Sequence, residues 1–376
     1  MIYKRDIKEN MLQWMDRKEI LILYGARQVG KTTLLREILK DIPESQLLAC
    51  DRPAVADILT SLNLSAVKMM FGNNRVVALD EAQNIENIGR LLKLIYDDDD
   101  MNFKIIASGS SSFDLAIRIS EPLTGRNIKF NLYPLSVNEL LSQKDWIWMM
   151  ENIEQMLIFG SYPEIVDLPA TQRILKLEHL ASDYLFKDLL DYDTIRNSGV
   201  LRKLLKAIAL QIGQLVSVNE LAGLVGVSAP TVEKYLDLLE KTFVIFSLSS
   251  YSSNLRNELK KTRKYYFWDL GIRNALIQNY NSLMNRQDTG SLWENFCVAE
   301  RIKYNHNHQK IRSSYFWRTY DGAEVDLLEE ENGKVTVFEF KWSPKKAGKL
   351  PLSLKQNYQV ETIHTIHHRN LHELYF

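Results

Sequence analysis

The chain has 376 residues, 45% of them hydrophobic and 25% charged, which is typical of a soluble globular protein with two or three domains. Lys plus Arg and Asp plus Glu both number 47. The formal net charge is therefore zero, but the C-terminal third is mildly basic. That bias permits a nucleic-acid partner, and unevenly charged solvated faces explain it equally well.

Three features that the sequence lacks restrict the kinds of protein that this chain can be. No apolar run in the sequence approaches the about eighteen residues that a membrane helix needs. The first residues lack the apolar stretch of a signal peptide. The two distant cysteines exclude a disulfide framework and a cysteine metal cluster. We therefore expect a cytoplasmic protein with no membrane partner.

The first predicted element is a buried strand that leads into a phosphate-binding loop. The strand is EILILY, residues 19–24, and the loop GARQVGKT fits the GxxxxGK[ST] pattern. Its glycines let backbone N–H groups face the phosphates, and the following helix directs its positive dipole end toward the anion. We expect Lys31 to reach the β- and γ-phosphates of ATP and the hydroxyl of Thr32 to ligate Mg²⁺. The residues predicted to bind nucleotide are Gly25, Ala26, Arg27, Gln28, Val29, Gly30, Lys31, Thr32, Thr33 and Asp80.

A second strand of this predicted site ends in two acids. The segment is NNRVVALDEAQ, residues 73–83, in which turn residues precede four apolar residues and then Asp80 and Glu81. This is the pattern of a Walker B strand. We expect Asp80 to hold Mg²⁺ through its water shell and Glu81 to polarise the attacking water.

Two polar segments are further candidates. KIIASGSSS, residues 104–112, ends in hydroxyls beside the expected phosphates, so Ser108 or Ser110 is predicted to sense the γ-phosphate. A serine-rich loop without this role is nearly as good an explanation. LTGR precedes another strand, and Arg126 is predicted to stabilise transition-state charge, in cis or from a neighbouring subunit of a homo-oligomer. An ordinary loop arginine is the alternative.

The combination of GARQVGKT, VVALDEAQ, ASGSSS, LTGR and YPLSVNEL resembles prokaryotic AAA-type ATPases with a C-terminal domain of unknown function. The resemblance covers nearly the whole chain. It implies an α/β fold with a five-stranded parallel sheet and helices on both faces. It also implies a helical lid in which FGSYPEIV, residues 159–166, brings Gly160 and Pro163 near the adenine.

The middle of the chain predicts two short helices around a turn. Ser217 with Glu220 forms a capping box for VNELAGLVG, and Ser228 caps APTVEKYLDLLEK. The pattern resembles a winged helix, and the family resemblance agrees. The apolar face of the second helix consists of Val232, Tyr235, Leu236 and Leu239.

The outward face of this second helix is poorly suited to a DNA groove. It carries one base against two acids, at Thr231, Glu233, Lys234 and Asp237. A helical module that packs domains together therefore remains open beside DNA binding. The more basic RNELKKTRK, residues 256–264, is expected either to contact phosphates or to form a solvated loop.

The C-terminal part predicts a helix followed by three strands. The helix WENFCVAERI carries Glu294, and the strands are SYFWRT, EVDLLEEE and KVTVFEFKW, the last two joined by an Asn332-Gly333 turn. Strand alternation puts Glu339 and Lys341 on one face, with Asp326 on the paired strand. This set resembles the PD-(D/E)XK nuclease core, and Glu294 matches its helical carboxylate.

The resemblance implies a second Mg²⁺ site. Its ligands would be Asp326, Glu339 and Glu294, while Lys341 would orient or deprotonate the attacking water. An inactive scaffold is the alternative, because a fold does not imply a function. The predicted catalytic residues are Glu81, Arg126, Asp326, Glu339 and Lys341. The predicted metal ligands are Thr32, Asp80, Glu294, Asp326 and Glu339.

These segments predict four domains: an AAA-type P-loop domain at 1–145, a helical lid at 146–198, a winged helix at 199–252 and a nuclease-like domain at 253–376. We expect an ATPase with ATP and Mg²⁺ as cofactors, coupled to a domain that acts on DNA. Two rivals remain. One is a regulatory ATP switch with an inactive C-terminal scaffold. The other is a DNA-binding module that uses ATP only to set its assembly state.

Overall fold

The computed structural model of the chain describes residues 2–109, 123–184, 198–251, 263–319, 322–345 and 351–375. The chain divides into two compact units. The first comprises Ile2–Tyr133 with Lys241–Phe243, and the second comprises Pro134–Glu240 with Val244–Phe376. The boundaries of the four predicted domains stay a prediction. Within the described ranges, no helix combines the length and the apolar character needed to span a bilayer.

The first unit is built on a five-stranded sheet in which every pairing is parallel. The strand order is β2-β3-β4-β1-β5. Its central strands β1, β3 and β4 are buried at every residue, as expected for apolar runs covered on both faces. The five-stranded parallel sheet was therefore predicted correctly. The strands are β1 Ile20–Tyr24, β2 Ser45–Ala49, β3 Val76–Asp80, β4 Lys104–Gly109 and β5 Asn127–Asn131.

Five helices are described in this unit, and the second begins directly after the glycine-rich loop. They are α1 Ile7–Leu12, α2 Lys31–Leu39, α3 Pro53–Thr60, α4 Leu64–Phe71 and α5 Ile88–Asp97. A short 3-10 helix, Ala82–Asn84, follows β3. Because all five strands are parallel, their carboxyl ends lie at one edge of the sheet. The loops after β1, β3 and β4 therefore meet there.

The second unit contains one seven-stranded mixed sheet of order β12-β11-β10-β9-β7-β8-β6. The pairings of β11 with β12 and of β7 with β9 are parallel, and the others are antiparallel. The strands are β6 Leu215–Val216, β7 Ile245–Ser250, β8 Arg263–Phe267, β9 Ser313–Arg318, β10 Glu324–Glu331, β11 Lys334–Phe340 and β12 Val360–Ile366. The predicted boundary after residue 252 falls between β7 and β8, which pair with each other.

The helices described in the second unit begin with α6 Val137–Leu141, α7 Trp146–Phe159, α8 Pro163–Val166 and α9 Ala170–His179, which a π-helix, Leu180–Tyr184, extends. They continue with α10 Ser198–Leu210, α11 Val218–Val225, α12 Ala229–Lys241, α13 Leu270–Leu276, α14 Thr289–Asn307 and α15 Leu352–Asn357. The predicted apolar face of α12 is buried at all four positions.

Local sequence explains several of these boundaries. The hydroxyl of Ser217 accepts a hydrogen bond from the backbone N–H of Glu220 at 3.4 Å, so α11 begins where the sequence predicted. Asn332 and Gly333 have φ values of 54° and 80°, the left-handed pair that a tight hairpin between β10 and β11 requires. That turn fixes the register in which Glu331 lies opposite Lys334.

A buried ion pair ties α14 to the sheet. The guanidinium of Arg301 donates to both carboxylate oxygens of Glu329 on β10, with its Nε at 3.0 and 3.1 Å. Both side chains are almost fully buried, at 0% and 1% exposure. Because a buried charge without its partner is costly, this pair favours a single placement of α14 against β10.

Candidate functional site

The glycine-rich loop between β1 and α2 has the backbone shape that its glycines predict. Gly30 has a φ of 100°, in the left-handed region that favours glycine. A Cβ atom at Gly25 would collide with the carbonyl oxygen of Leu132, so no side chain fits there. The first turn of α2 leaves backbone N–H groups without acceptors inside the helix, and these face the loop region where anions bind.

Side chains of this first turn contact both the loop and β3. Lys31 is 4% exposed, and its Nζ donates to the carbonyl oxygens of Gly25 and Ala26, each at 3.0 Å. The hydroxyl of Thr32 donates to Oδ2 of Asp80 at 2.6 Å. Two predicted Mg²⁺ ligands that are distant in sequence therefore lie in direct contact.

Ser108 on β4 is a buried partner of the Walker B aspartate. Its side chain is fully buried, and its hydroxyl donates to Oδ1 of Asp80 at 2.5 Å. The backbone N–H of Glu81 donates to the same hydroxyl at 3.4 Å. Both oxygens of Asp80 thus accept from hydroxyls. Sensing of the γ-phosphate by Ser108 stays a prediction, and Ser110 lies outside the described residues.

Glu81 occupies the turn between β3 and the 3-10 helix. Its φ of 55° and ψ of 43° are left-handed, which is uncommon for a residue with a side chain. The amide Nε2 of Gln83 donates to Oε2 of Glu81 at 2.5 Å. The side chain of Asn84 donates to the Glu81 carbonyl at 2.9 Å. The backbone and carboxylate of Glu81 are therefore both held.

Arg126 lies away from this constellation within the first unit. It immediately precedes β5, and its carbonyl accepts from the N–H of Ile20, the first residue of β1. That position is the amino edge of the sheet, whereas the phosphate loop follows the carboxyl end of β1. Its Nε donates to Asp97 at 2.9 Å. This placement does not favour the predicted role in cis, and the role in trans stays a prediction.

Sequence reasoning missed Arg5, which stabilises the phosphate loop through hydrogen bonds to backbone carbonyls. Its Nη1 donates to the carbonyl oxygen of Val29 at 2.7 Å, and its Nη2 donates to that of Tyr133 at 2.6 Å. The residue is 7% exposed. No local pattern marks this arginine, because its partners are backbone atoms that only the fold brings near.

The first-unit site fits a magnesium nucleotide chemically. Hydroxyl and carboxylate oxygens, here from Thr32 and Asp80, are the ligands that Mg²⁺ prefers. The loop, the first turn of α2 and the ammonium of Lys31 together provide the donors that phosphates need. The residues present would therefore hold Mg-ATP.

In the second unit, six charged side chains form what we call the carboxylate–lysine cluster. They come from β8, α14, β10, β11 and the residue after β11. The members are Lys264, Glu294, Glu324, Asp326, Glu339 and Lys341.

Three predicted members meet at one point of the cluster. Nζ of Lys341 lies 2.7 Å from Oε2 of Glu339 and 3.3 Å from Oδ2 of Asp326. Oδ2 of Asp326 also accepts the backbone N–H of Phe340 at 2.7 Å. The other carboxylate oxygen of Glu339, Oε1, is buried and has no hydrogen-bond partner. Such an orphaned oxygen is the kind of atom that a cation or water satisfies.

Glu294 is held by residues that the sequence did not nominate. Its Oε1 accepts from Nζ of Lys264 at 3.0 Å and from the hydroxyl of Tyr266 at 2.8 Å. Lys264 is 2% exposed at its side chain and also pairs with Glu324. Alternation along β8 puts Lys264 and Tyr266 on one face, and this was the signal available in the sequence.

Burial and neighbouring charges shift the protonation of the cluster. Burial raises the pKa of Glu294 to about 7, the charge of Lys264 opposes this, and that of Asp326 adds to it. Burial also raises the pKa of Glu339, with Asp326 contributing. Burial alone would lower the pKa of Lys341, but Asp326 and Glu339 outweigh it and raise the pKa. Lys341 is thus held protonated, which favours orienting water or offsetting charge over deprotonating water.

The structure does not assemble the predicted three-carboxylate metal set. Among the described residues, no group of three or more His, Cys, Asp or Glu side chains is arranged to hold a metal ion. The physical reason is that lysine ammonium groups pair with these carboxylates. Glu294 is committed to Lys264, whereas Asp326 and Glu339 would fit a divalent cation if the ammonium of Lys341 moved aside.

Gly160, predicted to lie near the adenine, has a packing role inside the second unit. It follows α7 with a φ of 72°, and a Cβ there would collide with the carboxylate of Asp269. That carboxylate accepts the N–H of Ser161 at 2.7 Å. A contact of Gly160 and Pro163 with adenine stays a prediction.

Comparisons with known families divide the chain into three matched regions. Residues 17–141 match the sequence profile of an AAA domain. Residues 150–283 match a domain of unknown function, DUF8612, and residues 289–371 match another, DUF4143. The prediction of an AAA-type domain followed by a C-terminal domain of unknown function is confirmed at this level.

Several uncharacterized proteins are similar in sequence to this chain. An uncharacterized protein of Mycobacterium tuberculosis is 28% identical over 347 residues, covering 91% of this chain and 74% of the relative. An uncharacterized protein of Methanocaldococcus jannaschii is 27% identical over 366 residues, covering 86% of this chain and 75% of the relative. The resemblance therefore extends over most of each chain.

A similar fold occurs among solved structures. The Walker-type ATPase of Pyrococcus abyssi superposes with a TM-score of 0.51 at 17% identity, covering 73% of this chain and 96% of the other. At this identity the similarity shows the fold alone. Together with the AAA-domain match, it identifies a P-loop ATPase-like domain in the first unit.

Proposed function

We propose that this protein is a Mg²⁺-dependent ATPase whose nucleotide site lies in the first unit. The observation that carries the proposal is the 2.6 Å contact between Thr32 and Asp80, beside the buried ammonium of Lys31. It joins a Walker A hydroxyl to a Walker B carboxylate at the carboxyl edge of a parallel sheet. That edge is where nucleotides bind in open α/β folds.

Each side chain has a distinct role in this proposal. When ATP binds, Nζ of Lys31 leaves the loop carbonyl oxygens and donates to the β- and γ-phosphates. Thr32 and Asp80 would hold Mg²⁺. A Mg²⁺ ion held there would neutralise charge on the phosphates. Glu81 accepts a hydrogen bond from the attacking water and orients it, and Ser108 keeps Asp80 in place.

We further propose that ATP turnover is coupled to DNA through a winged helix. The order α10–β6–α11–α12–β7–β8, with β6 paired to β8, is that of a winged helix and supports the proposal. The exposed Glu233, Lys234 and Asp237 do not favour base reading in a groove. Two acids against one base also oppose contact of this face with DNA phosphates, so a helical module that packs domains together remains the alternative for these two helices.

The C-terminal domain is proposed to be nuclease-like. The order α14–β9–β10–β11–α15–β12 and the contact of Lys341 with Asp326 and Glu339 support this proposal. Asp326 and Glu339 would hold the divalent cation, and Lys341 would offset charge on the scissile phosphate. The residue-level evidence is the orphaned Oε1 of Glu339.

A second candidate is a regulatory ATP switch whose C-terminal domain is an inactive scaffold. The internal neutralisation of the cluster by Lys264 and Lys341 favours it, because both ammonium groups compete with a metal ion for the same carboxylates. Homo-oligomerisation, with Arg126 acting in trans, is compatible with both candidates.

One experiment separates the candidates. ATP hydrolysis is measured with Mg²⁺, with and without DNA, alongside cleavage of single-stranded, duplex and branched DNA with Mg²⁺ or Mn²⁺. Hydrolysis with metal-dependent cleavage supports the coupled nuclease. Hydrolysis without any cleavage product supports the switch. Absence of hydrolysis under all conditions contradicts the ATPase proposal itself.

A further inference from the structure

The turn after β3 restrains Glu81 more tightly than a Walker B strand alone requires. Oε2 of its carboxylate accepts the amide Nε2 of Gln83 at 2.5 Å. Its carbonyl accepts the Asn84 side chain at 2.9 Å, and its N–H reaches Ser108. Gln83 is thus the residue that fixes the carboxylate, while the others hold the backbone.

Gln83 is itself placed by the fold. It sits in the 3-10 helix between two fully buried residues, Ala82 and Ile85, which anchor the turn in the core. The N–H of Ile85 donates to the carbonyl of Ala82 at 3.1 Å, and the N–H of Asn84 donates to that of Glu81 at 3.0 Å. Gln83 lies two residues after Glu81 in this anchored turn. Its side-chain amide is therefore placed within hydrogen-bond distance of the Glu81 carboxylate.

A glutamate needs such a restraint if it is to orient water. Its side chain has three rotatable bonds, and ordering it costs conformational entropy of about 1–2 kcal/mol. A catalytic group held in its productive geometry before the reaction avoids that loss during it. A donor on one carboxylate oxygen fixes the rotamer and leaves the second oxygen to accept from the water.

We propose that Gln83 is a positioning residue for ATP hydrolysis: its amide holds Oε2 of Glu81 so that Oε1 accepts the hydrogen bond of the attacking water. This inference rests on the proposed ATPase function. The opposite possibility is that Gln83 holds Glu81 away from the water. It predicts the opposite sign in the same experiment.

The test compares steady-state ATP hydrolysis by the full-length protein and its variants. Gln83→Met removes the donor at nearly the same side-chain length, and Gln83→Ala removes the whole side chain. Both should lower kcat about tenfold, equivalent to about 1.4 kcal/mol of barrier, with the KM for ATP within about twofold of wild type. A fall in kcat without a change in KM is not expected from damage to the nucleotide pocket.

Two controls make the result specific. Glu86→Gln alters an exposed side chain three residues further along and should leave both constants unchanged. In a Glu81→Gln background, adding Gln83→Met should change kcat by less than twofold, because a residue that acts through Glu81 has nothing left to position. Thermal melting and binding of a fluorescent ATP analogue confirm that each variant is folded.

The outcomes are distinct. Unchanged kcat in folded Gln83→Met and Gln83→Ala overturns the positioning role. A rise in kcat also overturns it, and shows that Gln83 restrains hydrolysis. An additive loss in the Glu81→Gln background overturns action through Glu81. A wild-type protein that binds no ATP or hydrolyses none removes the proposed function, and this inference with it.

Discussion

The hydroxyl of Thr32 and the carboxylate of Asp80 form a 2.6 Å hydrogen bond, although Thr32 lies in the first turn of α2 and Asp80 ends β3. Ser108 binds the second oxygen of the same carboxylate. Thr32 and Asp80, the two residues proposed to hold Mg²⁺, are therefore already placed side by side by polar contacts of the protein itself.

Lys31→Ala should abolish tight nucleotide binding. The loop pattern directs the ammonium of Lys31 at the β- and γ-phosphates, so its loss should weaken ATP affinity by about 100-fold, or about 2.7 kcal/mol. Direct titration with a fluorescent ATP analogue measures this. Lys40→Ala, on the exposed end of α2, is the matched control. Unchanged affinity in Lys31→Ala would rule out the phosphate-loop assignment.

Glu81→Gln should separate binding from turnover. The amide keeps the size of the side chain but orients the attacking water poorly, so kcat should fall by about 10²- to 10³-fold while ATP affinity is retained. Single-turnover hydrolysis and equilibrium titration on the same preparation provide both values. Normal hydrolysis by this variant would assign the role of base to another residue.

Lys341→Ala should eliminate metal-dependent DNA cleavage and leave ATP hydrolysis intact. The reason is that its ammonium contacts Asp326 and Glu339 in the second unit, whereas the phosphate loop belongs to the first. Cleavage of labelled DNA with Mn²⁺ is the measurement. Lys334→Ala removes an exposed lysine at the opposite end of β11 and serves as the control. Cleavage that survives in Lys341→Ala would exclude the nuclease-like assignment.

Lys264→Met should destabilise the protein strongly. It leaves Glu294 and Glu324 without the ammonium that both contact, and breaking a buried pair on one side costs about 3–5 kcal/mol. The free energy of unfolding in urea reports this loss. Lys334→Met breaks an exposed pair with Glu361 and should cost less than about 1 kcal/mol. Equal effects of the two substitutions would show that Lys264 carries no buried pair.

Glu294→Gln should remove a pH dependence of stability. The carboxyl has a folded pKa of about 7 against an ordinary value of 4.5, so the folded state binds the proton more tightly between these values. Its contribution is therefore fully present below about pH 4.5 and is lost as pH rises through 7, on the order of 3 kcal/mol. Urea unfolding from pH 4.5 to 8 should show a smaller decline in the variant. Parallel profiles would mean that Glu294 titrates normally.

Much of the first unit could be predicted because its signals are local. Apolar runs such as residues 20–24 and 76–79 form fully buried strands, and the loop glycines have the conformations that their sequence pattern predicts. Arg126 shows the limit of this approach. The LTGR motif predicted only that Arg126 lies between two strands. The parallel register of β1 and β5 is what places Arg126 at the amino edge of the sheet.

The second unit was harder to predict because its contacts join distant segments. The turn at Asn332-Gly333 followed from its dipeptide, and the grouping of Asp326, Glu339 and Lys341 followed from strand alternation. The parallel pairing of β7 with β9 could not be predicted, since neither strand carries a local mark of its partner. Lys264 was missed for a related reason: a basic run suggested phosphate contact or a solvated loop, whereas Lys264 is the second residue of β8 and is buried.

The continuity of the seven-stranded sheet limits how this protein can change. β7 lies between β8 and β9, so no cut in the chain separates the helix-rich segment from the C-terminal strands without exposing unpaired strand edges. Exposed edges promote aggregation. A C-terminal segment exchanged by recombination would therefore have to bring a strand that pairs with β7 in place of β9. Point substitutions and loop insertions, by contrast, leave the shared sheet intact.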